Sequence, residues 1–63
     1  SNPKTALRTS QKWEYTSRTV VGTLSLNEIN HYGMEGWEMC GTIHKARIGM
    51  IPASTTYYFK RPL

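Results

Sequence analysis

The chain has 63 residues, a single cysteine and a formal net charge of +4. One domain of this size buries only about 60% of the surface its unfolded form exposes, and its core supplies roughly 3–5 kcal/mol, so natural proteins this small lean on disulfides, metals or self-association. Cys40 has no partner for an intrachain disulfide, no apolar run approaches the ~20 residues of a membrane span, and nothing at the N-terminus reads as a signal peptide.

These limits point to a soluble cytoplasmic protein in which Cys40 is a small buried hydrophobe in a reduced setting. Eight Lys and Arg stand against four Glu, with no Asp. That balance favours anionic partners. The basic residues Lys4, Arg8, Lys12, Arg18, Lys45, Arg47, Lys60 and Arg61 are scattered along the chain, whereas nucleic-acid binders usually cluster them on one face or helix.

Residues 1–10 have little apolar content and no period, and read as a flexible arm before a single domain over 11–63. From Gln11 to Thr19, Trp13 and Tyr15 alternate with Glu14 and Thr16, the period of a half-buried strand. Gly22 then offers a turn. Ser25-Leu26-Asn27-Glu28 matches a capping box. A short helix comes next, with Leu26, Ile29 and Tyr32 on one face and Gly33 as its left-handed stop. So short a helix is unstable alone, so it lies on a sheet.

The second strand, Trp37 to Lys45, sets Trp37, Met39, Gly41 and Ile43 on one face and Glu38, Cys40, Thr42 and His44 on the other. Arg47 to Ala53 breaks the pattern, and its Gly and Pro mark a long loop. Ser54 to Arg61 is the third strand, ended by Pro62. The fold class is therefore α+β, β-α-β-β: a three-stranded sheet of order 1-3-2 with one short helix packed on one face. Trp13, Tyr15, Trp37, Met39, Ile43, Tyr57 and Phe59 are expected beneath that helix. Matching the faces pairs Glu38 with Lys60, Met39 with Phe59, Cys40 with Tyr58, Gly41 with Tyr57 and Thr42 with Thr56.

The punctuation Trp13-Glu14-Tyr15, Leu26 and Ile29, Gly33-x-x-Gly36-Trp37-Glu38 and Tyr57-Tyr58-Phe59-Lys60-Arg61-Pro62 resembles a family of short bacterial and phage proteins catalogued as domain of unknown function 4177. The resemblance covers residues 12–62 and implies the same β-α-β-β layout. It transfers no activity, cofactor or catalytic residue. What it implies about role is an accessory or host-interaction factor.

Several constellations have plainer readings. Cys40 and His44 share a face but stand four strand residues apart, roughly 13 Å, too far for a thiolate and its base. With one Cys and two His, a zinc site lacks ligands. Glu14, Glu38 and Lys60, expected to point away from the helix, read as cross-strand ion pairing rather than an acid–base pair. Tyr57 and Tyr58 with Lys60 and Arg61 have the make-up of a single-strand nucleic-acid groove, yet alternation sends the two tyrosines to opposite faces.

Met50 and Ile51 are apolar residues in a loop that should be polar, which points to contact with another chain. The reading is a small non-enzymatic binding protein acting as a homo-oligomer on a host protein or an anionic small molecule. Its alternatives are sequestration of a nucleotide or cyclic nucleotide between subunits, and single-stranded nucleic-acid binding. Candidate ligand- or partner-binding residues are His44, Lys45, Arg47, Met50, Ile51 and Tyr58. No catalytic residue, metal ligand or cofactor is assigned.

Overall fold

The computed structural model describes residues 11–63. They form β1 (Trp13–Val21), α1 (Leu26–Met34), β2 (Glu38–Lys45) and β3 (Ser54–Pro62). β3 lies in the middle, antiparallel to both neighbours, in the order β1-β3-β2. This is the α+β layout and strand order expected from the sequence. The arm over 1–10 lies outside the described residues.

β1 runs two residues beyond Thr19, because Val20 and Val21 continue its pairing with Thr55 and Ser54. Gly22 turns the chain at φ +86°. Leu24 is buried, and its N–H donates to the Tyr57 hydroxyl at 3.2 Å, tying the linker to the central strand. Ser25 caps α1: its hydroxyl accepts from the Glu28 N–H at 3.2 Å and donates to the Glu28 carboxylate at 3.3 Å. The carboxylate thus holds the capping hydroxyl itself.

The helix does not stop at Gly33. It continues through Met34, and Gly36 takes the left-handed position at φ +88°. The Gly36 N–H bonds the Gly33 carbonyl and the Trp37 N–H the Tyr32 carbonyl, each at 3.0 Å, the pair of bonds that defines a Schellman cap. Both glycines suit a C-cap by composition. The one that closes these two bonds is Gly36, three residues later.

Packing corrects which side chains lie inside. On β3, Tyr57 and Phe59 are buried under the helix, and their partners on β1 are Arg18 and Thr16. The helix face of β1 therefore carries Glu14, Thr16, Arg18 and Val20. Trp13 and Tyr15, expected inside, lie on the helix-free face, at 38% and 67% exposure. Alternation states which residues share a face; only the register against β3 says which face is covered.

A β-bulge corrects the hairpin. Glu38 pairs with Lys60 and Met39 with Phe59 as expected, but between Met39 and Gly41 the register shifts. Cys40 is the extra residue, and it is exposed rather than buried. Beyond it Gly41 faces Tyr58, Thr42 faces Tyr57 and Ile43 faces Thr56. One inserted residue exchanges the faces, so Ile43 lies on the helix-free side and Thr42 and His44 on the helix side.

Leu24, Tyr57 and Phe59 form the core, with Val20, Ile29, Tyr32 and Trp37 packed against it. The Tyr32 ring stacks on Phe59 at 4.2 Å and 6°. Leu26, expected on the packed face, is exposed, and Leu24 fills that role instead. Trp37, expected to be buried, is half-buried.

The two glycines give a direct check by thermal denaturation. Gly36→Ala forces a side chain into the left-handed region and is expected to cost about 1–2 kcal/mol. Gly33→Ala, with open space at a helical position, is expected to stabilise by about 0.5–1 kcal/mol. Phe59→Ala should cost about 3–5 kcal/mol, enough to unfold the domain.

Candidate functional site

The residues that punctuate the sequence meet around Arg61. Its Nε bonds the Glu14 carboxylate on β1, Nη1 donates to the Glu35 carbonyl at 2.7 Å, and the guanidinium lies 4.1 Å from the centre of the Trp37 ring. Glu14 therefore points toward the helix side, contrary to expectation, and it is ion-paired there. One side chain joins β1, β3 and the end of α1, placing a cation where the helix dipole is negative. Both charges are partly exposed. The cluster is structural: its charges are engaged within the fold.

The helix-free face has a different character. Trp13, Tyr15, Ser17, Thr19 and Val21 of β1 lie beside Lys60, Tyr58, Thr56 and Ser54 of β3, which in turn face Glu38, Gly41, Ile43 and Lys45 of β2. Tyr58 sits near its centre at 38% exposure, between Ser17 and Gly41. Lys60 Nζ lies 4.3 Å above the Trp13 ring, and the Thr19 and Thr56 hydroxyls bond at 2.8 Å. Ile43, Tyr15 and Val21 are each more than half exposed. No element of the described chain covers them.

The segment expected as a long loop is a tight hairpin end. Ile48 and Ile51 exchange backbone hydrogen bonds of 3.0 and 2.9 Å around Gly49-Met50, with Gly49 at φ +56°. A positive φ at the first central position alone matches a type II′ turn. Arg47 Nε donates to the Gly49 carbonyl at 3.0 Å. The tip offers Ile48, Met50 and Ile51 to solvent at 72%, 97% and 68% exposure.

Two grooves flank α1. One, of about 430 Å³, carries charged side chains, with Arg18 paired to Glu28 at 3.6 Å and His31 to Glu35 at 3.4 Å. The other, of about 560 Å³, is open and lined by the apolar side chains of Ile29, Met34, Trp37, Met39 and Phe59 beside Asn30 and Gly33.

The six candidate residues do not form one site. Lys45, Arg47, Met50 and Ile51 share the hairpin arm, Tyr58 lies mid-sheet on the helix-free face, and His44 is on the opposite face with Nδ1 3.2 Å from the Thr55 hydroxyl. Sequence reasoning missed Ile48 as part of the tip, although glycine at the first centre of a two-residue turn is a hairpin signal. It also missed Trp13, Tyr15 and Ile43 as surface, for which only pairing carries the information. Among the described residues no three His, Cys, Asp or Glu side chains gather into a metal-sized cluster, and no helix is long and apolar enough to cross a membrane. Comparison with protein-family models, curated proteins and solved structures finds no match.

Substitution at Arg61 tests whether that cluster holds the fold. Arg61→Ala should lower stability by about 1–2 kcal/mol, since a partly exposed ion pair contributes up to about 1 kcal/mol and the ring contact about 0.5–1. Arg61→Lys should recover under half of this, because an ammonium lacks the planar fork. Lys60→Ala, on the other face, should cost under about 1 kcal/mol. Urea unfolding of the three variants reads the order.

Proposed function

We propose that this chain is a non-enzymatic interaction module working as a homo-oligomer, with a second copy of itself against the helix-free sheet face. The observation that carries the reading is that face: aromatic and aliphatic side chains from all three strands, few charges, and no described element over it. A core of three buried residues among those described leaves little stability to spare, and association adds to it by mass action. The face suits a two-fold contact, in which each patch meets its own copy. A role as a cytoplasmic bacterial or phage accessory factor belongs to the same proposal, by way of the family resemblance and fold-level analogy. So does capture of an anionic small molecule such as a nucleotide, for which Lys45 and Arg47 supply positive charge near the assembly.

A second reading is supported by one specific feature. Trp13, Tyr15 and Tyr58 beside Lys60 make an aromatic platform with a cation, the equipment that stacks single-stranded bases. Against it, Glu38 faces Lys60 on the same surface, and Arg18 and Arg61 belong to the other face, in ion pairs.

Light scattering across a concentration series separates the two. Under the first reading the wild type has a mass of two or more copies, and Ile43→Glu with Tyr15→Glu, both at exposed positions, lowers it while circular dichroism stays unchanged. A monomeric wild type that binds a polynucleotide with affinity falling steeply in salt would replace the first reading by the second. A wild type whose mass ignores both substitutions would remove the sheet face from any self-contact.

A further inference from the structure

We propose a second contact between copies, head to tail: the hairpin tip of one chain seats in the apolar groove between α1 and β2 of the next. The tip is built for insertion. Its turn is closed by two backbone hydrogen bonds and braced by Arg47 on the Gly49 carbonyl, so little conformational freedom is lost when Ile48, Met50 and Ile51 are buried. A Met and two Ile in open water at a turn are out of place for a solvated hairpin. The groove matches them in chemistry, with Ile29, Met34, Trp37, Met39 and Phe59 as its walls.

A chain cannot fill its own groove: Met39 and Ile48 are nine residues apart along one strand and its extension, roughly 30 Å. A groove that receives this tip therefore belongs to another copy. Because knob and hole are different surfaces, the contact is heterologous and propagates until a ring closes.

The inference rests on the reading of this chain as a homo-oligomer and adds to it a second, independent surface. Sheet-face pairs joined through their tips then build a particle larger than a dimer.

Three variants, each checked by circular dichroism, test it by native mass spectrometry. Met50→Asp with Ile51→Asp blocks the tip. Met34→Lys, at an 88% exposed position, blocks the groove. The wild type is expected above two copies and each blocked variant at two; mixing the two blocked variants should restore heavier particles, since one retains a tip and the other a groove. Adding Ile43→Glu to either should give single chains. If blocked variants fall straight to single chains and their mixture gives one-to-one dimers, the head-to-tail contact stands and the sheet-face pair fails. A monomeric wild type, a blocked variant of wild-type mass, or a mixture no heavier than its parts would overturn the proposal.

Discussion

The Arg61 guanidinium is the constraint on which the rest of the fold turns. It bonds Glu14 on β1, the carbonyl of Glu35 at the end of α1 and the face of Trp37, which opens the path into β2. With the helix end held there, Tyr32 comes down on Phe59, and Leu24 is drawn in by the Tyr57 hydroxyl. Without the cation, α1 is held on the sheet by the Tyr32–Phe59 stack, the packing of Ile29 on the core, the exposed Arg18–Glu28 pair and the linker hydrogen bond. Arg61 serves here where lysine would not, because a planar fork can meet a carboxylate, a carbonyl and a ring at once.

That arrangement explains the punctuation of the sequence in structural terms. Glu14, the adjacent Gly36 and Trp37, and Arg61 come from three separate stretches of the chain and meet at one corner. Gly36 supplies the left-handed turn that returns the chain toward β2, and its Cα approaches the Arg61 stem closely enough that an added Cβ would sit 3.9 Å from Cδ. The distinctive residues of this chain are thus mostly occupied in holding it together. The surfaces left uncovered among the described residues are the plainer ones: a sheet face, a hairpin tip and a groove.

The bulge at Cys40 divides β2 into two halves with different roles. Before it, Met39 faces the helix side and lines the apolar groove. After it, Ile43 turns to the open face and His44 to the covered side. Every residue of β2 remains exposed. A strand of this composition, solvated on both faces and holding an edge of the sheet, is held within a single copy chiefly through its pairing with β3.

The sequence by itself determined the elements, their order and the fold class, because each rests on local physics. Period two at Trp13–Thr16 and Trp37–Met39, the Ser25 cap, and the breaks at Gly22 and Gly49 are all readable from neighbours a few residues away. It also singled out Met50 and Ile51 as misplaced in water, since hydropathy needs no fold to be judged. Which face of β1 is covered, where the helix ends, and how β2 pairs beyond Cys40 were decided only by tertiary structure. Each depends on a partner far along the chain: Phe59 and Tyr57 orient β1, the bonds of Gly36 and Trp37 to the helix end select between two glycines, and pairing with β3 absorbs the extra residue. Alternation is symmetric under exchange of faces, and that symmetry is broken only when the helix comes down on one side.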